Sequence, residues 1–356
     1  MTCVLEIDLS AIRANYQYLA RDTGRRIAGV VKADAYGLGA VKVVSELVKV
    51  GCNEFFVANA EEGKALRSEF DEIILYVLEG ALESTYEKLL EHNLRPVLNT
   101  LLQCDLWSKQ SAPCAIHLDS GMERLGLNEN ELNEMLNDPK ELNIQLLMSH
   151  LARADEPDHQ FNQLQKKRFE MIRQRLGDLY PEVETSLTNS AGVAHQDYVD
   201  DLGRPGIALY GGNPFSDRSN PMSPVVRLMA QALQVREVDT GLPVGYGGTF
   251  VTDRDSVLAI IGAGYADGIS RSLSNKGRTF VSGSYCPIVG RISMDTLHVD
   301  VTGVDIVEGD WVELIGPNMS LDEVALQSGT ISYEVLTSLG RRCSRVYLGS
   351  AVQGSR

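Results

Sequence analysis

The sequence predicts an α/β fold in which a (β/α)8 TIM-type barrel is followed by a mostly β C-terminal domain. Three observations carry that prediction. Apolar, strand-like runs alternate with helix-like runs through roughly the first 210 residues, and the strand-like runs number eight. Near Ser223 the rhythm changes to short strand-like runs separated by turn signals. Between the two regimes lies a Pro- and Ser-rich stretch, 211–224, suited to a linker. A doubly wound open sheet would also alternate strands with helices, but the count of eight favours the barrel.

The candidate barrel strands are 27–32, 54–58, 73–77, 94–98, 114–118, 144–150, 185–188 and 207–210. Helical periodicity occupies the gaps, as at 40–50, 61–69, 85–92, 129–137 and 159–176. In the second regime the strand-like runs are 231–237, 256–261, 278–281, 286–289, 296–301 and 311–314, and a final helix near 332–339 precedes 341–348. These patterns divide the chain into domains 1–222 and 223–356, with the strand-like residues 1–8 able to join the second.

Composition narrows the function classes. A chain of 356 residues exceeds one ordinary core, and its 44% apolar content is that of a globular protein. No apolar run reaches the roughly 18 residues a membrane helix needs. The N-terminus carries no basic region or signal-peptide core, so a cytoplasmic protein is expected. A net charge of −15 argues against nucleic acid as a partner. The six cysteines are scattered without a C-x-x-C pair, so neither a metal site nor a disulfide framework is expected.

The chemistry concentrates at strand ends, where barrels build active sites. Lys32 ends the first strand, ahead of Gly37 and Gly39. Desolvation there lowers a lysine's pKa, and a neutral amine can form a Schiff base with an aldehyde. The same lysine could instead snorkel to solvent. Asp119 follows the fifth strand, His150 ends the sixth, Asn189 and Ser190 follow the seventh, and Gly203-Arg204-Pro205-Gly206 leads into the eighth. The Ser190 hydroxyl and the backbone N–H groups around Gly206 and Ile207 fall where barrels commonly bind phosphate. A strand-end lysine facing a phosphate site fits pyridoxal 5′-phosphate, and it equally fits a Schiff-base aldolase of sugar phosphates. Gly37-Leu38-Gly39 and Gly262-Ala263-Gly264-Tyr265-Ala266-Asp267-Gly268 fall short of a complete dinucleotide fingerprint.

Six ordered motifs narrow this choice: Val31-Lys32-Ala33-Asp34-Ala35-Tyr36-Gly37, Asp119-Ser120-Gly121-Met122-Glu123-Arg124-Leu125-Gly126, Arg204-Pro205-Gly206-Ile207-Ala208-Leu209-Tyr210-Gly211, Gly245-Tyr246-Gly247, Gly264-Tyr265-Ala266-Asp267-Gly268 and Gly290-Arg291-Ile292-Ser293-Met294-Asp295. With them the chain resembles the alanine racemases, almost end to end. The resemblance implies a pyridoxal-phosphate-dependent isomerase that interconverts L- and D-alanine by two-base proton transfer, supplying D-alanine for peptidoglycan. It implies that Lys32 holds the cofactor and is one base, and that Tyr246 is the other. Tyr36, Ser190, Gly206, Ile207 and Tyr347 would hold the phosphate. Arg204 would contact the pyridine nitrogen, with His150 beside it, and Arg124 the phenolic oxygen. Met294 would lie near the substrate carboxylate. Tyr265, Asp155, Arg291 and Asp295 would line the entry or support the site. The family pattern is a homodimer in which Tyr246 and Met294 come from the partner subunit. Arginine keeps its proton, so at the ring nitrogen it weakens the electron sink.

Two departures from the family pattern stand out. Many members have a carbamylated lysine two residues before the strand-five aspartate, where this chain has His117. An imidazole forms no stable carbamate, so His117, or an anion such as chloride, is expected to fill that role near Arg124. Leu38 and Asp34 stand where histidine and asparagine are frequent. A broad-specificity amino-acid racemase and a decarboxylase on the same barrel are the alternative enzymes. A pyridoxal-phosphate binding protein would resemble the barrel alone. Taken without the resemblance, Tyr246 reads as a turn aromatic, Met294 as core and Asp295 as a surface partner of Arg291.

Overall fold

The β-branched and aromatic runs of the first 210 residues pair in parallel. The computed structural model describes residues 2–21, 25–177, 179–195, 198 and 200–349. They form two compact units, one of Arg13–Leu209 with Asn213–Met222, the other of the remainder. The expected second domain, 223–356, includes residues 350–356, which lie outside the described residues.

In the first unit seven parallel strands lie in sequence order: Gly29–Val30, Glu54–Val57, Ile74–Val77, Arg95–Leu98, Pro113–His117, Asn143–Met148 and Glu184–Ser186. Strands that bury both faces read as continuous apolar runs, and Phe55, Phe56, Val57, Leu75, Val97, Ala115, Ile116 and Leu146 are buried accordingly. The eighth strand is Leu202–Gly203, paired in parallel with Arg26–Ile27. Bonds from Asp201 N to Thr185 O (3.0 Å) and from Ala28 N to Gly203 O (2.9 Å) join it to the seventh strand and the first, so the barrel closes.

This places the last strand five residues before the expected 207–210, which is a short 3₁₀ turn, Ile207–Tyr210. The cause is local. Pro205 has no N–H for a ladder, and the amides of Gly206 and Ala208 donate to Ser190 Oγ at 2.9 and 3.3 Å. Side chains cap several helices directly after strands: Asn59 accepts from Glu62 N, Thr100 from Gln103 N, and Asn189 from Gly192 N. Those caps fix where each strand end points.

The second unit contains an eight-stranded sheet in the order Ser256–Ile261, Leu297–Asp300, Ser284–Val289, Arg278–Val281, Trp311–Ile315, Val226–Val238, Cys3–Asp8, Ser344–Leu348. The long strand Val226–Val238 also pairs with Ser256–Ile261, which closes six of these strands into a small β-barrel. A bulge at Ala232/Gln234 lets one strand serve both neighbours. Two helices complete the unit: Leu321–Ser328, which the sequence reading missed, and Ser332–Ser338. Among the described residues no helix is long and apolar enough to cross a membrane.

Candidate active site

Lys32 does not end a strand. The ladder stops at Val30, and Lys32 opens a short turn, Lys32–Tyr36, whose hand is reversed. Ala33, Asp34, Ala35 and Tyr36 have φ of 53°, 54°, 53° and 57°, and Gly37 follows at 83°. L-residues in this region cost roughly 1–2 kcal/mol each. The turn is held by bonds from Ala35 N to Val31 O (2.8 Å) and Gly39 N to Asp34 O (2.9 Å). Glu62 braces its start by accepting from Ala33 N (2.9 Å) and Ala58 N (2.8 Å). Burial lowers the Lys32 pKa, the Arg124 charge lowers it further, and Glu62 opposes both.

Tyr36 ends the reversed turn against Gly206. A Cβ at Gly206 would stand 2.2 Å from Tyr36 Oη, so any larger residue would displace the Tyr36 phenol. Ser190 Oγ faces the same backbone, and Ser190, Gly206 and Ile207 are all buried. A hydroxyl, a phenol and a glycine backbone thus converge, with the Gly206 amide donating to Ser190 Oγ.

Arg204 is buried beside this cradle. Its guanidinium donates to Ser186 Oγ and to Ser149 O, and Nη2 lies 3.4 Å from His150 Nδ1. It also lies over the Phe56 ring, 5.8 Å from the centroid. Burial lowers its pKa to about 10, which leaves it charged at neutral pH. Burial, followed by the charges of Arg204 and Arg124, holds His150 well below the ordinary histidine range. Arg204 is thus a buried positive charge beside a neutral imidazole.

His117 ends the fifth strand, also buried, with Nδ1 2.8 Å from Asn99 Oδ1. Burial, Arg204 and Arg124 lower its pKa to about 4 against the pull of Asp119. Arg124 lies exposed on the loop that Asp119 folds by accepting from Gly121 N, Met122 N and Glu123 N at 2.8–3.0 Å. Asp155 is exposed on another loop, where its carbonyl accepts from Ser216 N at 3.0 Å. Asn99, Ser149, Ser186 and Glu62 were absent from the sequence reading. The first could have been found by the strand-end rule, since it follows Arg95–Leu98.

The remaining candidates belong to the β unit. Tyr246 starts the turn Tyr246–Gly248, jointed by Gly245, Gly247 and Gly248 at φ of 68°, 72° and 53°. The Arg291 guanidinium packs against Gly247, where a Cβ would stand 2.9 Å from Nη1. The turn Tyr265–Asp267 docks on the Met294 loop through Tyr265 N to Ser293 O (3.0 Å) and Ala266 N to Met294 O (3.1 Å). Gly264 permits that approach, since a Cβ there would meet Met294 O at 2.3 Å. The structure thus brings Tyr265, Met294 and Arg291 to one group of loops with Tyr246. Asp295 pairs not with Arg291 but with Arg342 at 2.7 Å, and Arg342 also reaches Asp267 at 3.2 Å. Met294 is 52% exposed and not core. Tyr347 lies on Ser344–Leu348, in register with Ile7. Among the described residues no group of three or more His, Cys, Asp or Glu side chains could hold a metal ion.

Comparison with known proteins matches both units. The sequence profile described as "Alanine racemase, N-terminal domain" matches residues 7–214, and "Alanine racemase, C-terminal domain" matches 225–347. The chain is similar to proteins named alanine racemase from Acidiphilium cryptum (44% identical, 96% of this chain, 98% of the relative) and Rhodospirillum rubrum (43%, 99% and 98%). Among solved structures it is similar to the alanine racemase from Bartonella henselae with covalently bound pyridoxal phosphate. That match has a TM-score of 0.93 at 40% identity and covers 98% of this chain and 100% of the other.

Proposed function

The chain belongs to the alanine racemase family and interconverts L- and D-alanine with pyridoxal 5′-phosphate, and we propose that it does so between two bases, Lys32 and Tyr246. When bound at Lys32, the cofactor supplies an electron sink that acidifies the Cα hydrogen of alanine. The observation that carries the assignment is the barrel cradle: a lysine of lowered pKa, a glycine that a Cβ would close, and a buried arginine converge at one barrel end. Tyr36, Ser190, Gly206, Ile207 and Tyr347 would hold the phosphate. Arg204, kept charged, would face the ring nitrogen, with His150 beside it.

Inversion at Cα requires one group that removes a proton and another that returns one from the opposite face. The Lys32 amine serves one face, since burial and Arg124 favour its neutral form. The Tyr246 phenol serves the other. At 72% exposure on this chain Tyr246 lacks the shielding a catalytic base needs, which supports a homodimer in which Tyr246 and Met294 complete the partner's site. Arg124 would contact the cofactor's phenolic oxygen or the substrate, with His117, or an anion such as chloride, beside it. Asp155, Tyr265, Arg291 and Asp295 would border the entry.

The test is incubation of the holoenzyme with L-alanine in heavy water, following chirality and Cα deuterium together. Growth of D-alanine carrying deuterium is expected. Deuterium exchange without inversion would leave Lys32 as a base and remove Tyr246. No exchange, with the cofactor bound, would overturn the two-base reading.

A further inference from the structure

Lys32 carries its amine on backbone that is tied on both sides to the second barrel unit. Val31 N donates to Phe56 O at 2.9 Å, and Phe56 lies in the strand Glu54–Val57. Ala33 N donates to Glu62 Oε1 at 2.9 Å. The other carboxylate oxygen, Oε2, accepts from Ala58 N at 2.8 Å, just past the end of that strand. The reversed turn begins at Ala33, so the Glu62 bond fixes where the chain leaves Lys32 and enters the turn.

The helix Ala60–Arg67 places Glu62 for this, as its third residue, and Asn59 caps the helix by accepting from Glu62 N at 3.0 Å. In a capping box a glutamate at this position reaches back to the cap's own N–H. Glu62 instead spans the backbone at two strand ends. Two N–H donors face its two oxygens, and a carboxylate accepts at both. An amide has one oxygen, so glutamine would leave one N–H facing an NH₂ donor. The charged and titratable groups acting on Lys32 are Arg124, Glu62 and His150, and Glu62 is the acid among them.

We propose that Glu62 is a positioning residue for racemisation: its carboxylate ties Ala33 to Ala58 and so aims the Lys32 amine at one face of the substrate. The proposal rests on the reading of Lys32 and Tyr246 as the two bases.

The experiment compares wild-type holoenzyme with Glu62→Gln, Glu62→Asp and Asn59→Ala. Glu62→Gln should lower kcat about 10- to 100-fold, the scale of a misplaced reacting group. With Cα-deuterated alanine its isotope effect should rise for the enantiomer whose hydrogen Lys32 removes and fall toward unity for the other, because one of two proton transfers has become slow. Glu62→Asp, whose carboxylate reaches less far, should move both in the same sense. Asn59→Ala weakens the helix start, keeps both carboxylate bonds, and should leave the balance of the two isotope effects unchanged. A readout without turnover is the pH dependence of the rate at which each apoenzyme takes up pyridoxal phosphate. Its midpoint should fall in Glu62→Gln, since the anion favouring the Lys32 ammonium is gone. Isotope effects that change alike for both enantiomers, an unmoved midpoint, or an Asn59→Ala enzyme that matches Glu62→Gln would overturn the proposal and leave Glu62 a structural residue. A Tyr246→Phe enzyme with unchanged kcat and isotope effects would overturn the two-base reading instead, and it is told apart because residue 62 is untouched.

Discussion

The barrel end and the loops of the β unit solve opposite problems. At the barrel end, Arg204, His117, Ser190 and Gly206 are buried, and each polar group is held by named partners. In the loops, Tyr246, Met294 and Tyr265 are 72%, 52% and 44% exposed, and glycines with positive φ set the backbone. One region is a buried set of polar groups whose electrostatics are tuned by burial. The other presents side chains on shaped loops and leaves their environment to be supplied. Polar side chains can thus be positioned by different means, in the first region by packing and in the second by backbone conformation.

Five substitutions sharpen that contrast. Lys32→Ala should produce the largest effect, a fall in kcat of at least about 10³-fold with loss of the bound-cofactor absorbance. Persistence of that absorbance with full activity would remove Lys32 from the site. Tyr246→Phe should lower kcat by about 10²–10⁴-fold while the cofactor stays bound. Mixed dimers of the Lys32→Ala and Tyr246→Phe chains should recover roughly half of the wild-type rate, because one of two shared sites is restored. Mixed dimers that stay inactive would mean that each chain builds its site alone.

Gly206→Ala should weaken cofactor binding about 10-fold or more, since the new methyl collides with Tyr36 Oη. Titration of the apoenzyme with pyridoxal phosphate measures this. The corresponding change in the loops, Gly247→Ala, should leave cofactor affinity alone and lower kcat.

The smallest effect is in stability. His117 has its pKa lowered to about 4 in the folded protein, below the ordinary histidine value of about 6.5. Between these values the unfolded chain binds the extra proton, so stability rises with pH. The contribution is fully present above about pH 6.5 and is lost as pH falls toward 4, by at most about 3 kcal/mol. His117→Gln should flatten the pH dependence of the urea midpoint across that window. An unchanged slope would show that His117 does not titrate there.

Much of the barrel was legible because buried parallel strands leave apolar runs whose number counts the units. The last strand was misplaced because 207–210 is as apolar as a strand, and the pattern could not show that Ser190 captures the amides of Gly206 and Ala208. Ser190, Arg204 and His150 were legible as polar groups near strand ends, whereas Lys32, read as a strand end, lies two residues beyond its strand. Asn99 obeys the same rule but reads as an ordinary residue before the Thr100 helix cap. Its amide is oriented by two carbonyls, and one of them, Leu78 O, comes from another part of the chain. The pairing of Asp295 with Arg342 was equally hidden, since a separation of 47 residues in sequence carries no local signal.

The reversed turn from Ala33 to Tyr36 bears on how this segment can change over generations. Four consecutive L-residues at positive φ form a stretch of mirror hand, and any residue inserted within it would have to adopt the same unfavourable backbone. A deletion would shift Tyr36 away from the glycine it meets at position 206. The interval between Lys32 and Tyr36 is therefore closed to changes in length, and inheritance can vary it only by exchanging one side chain for another.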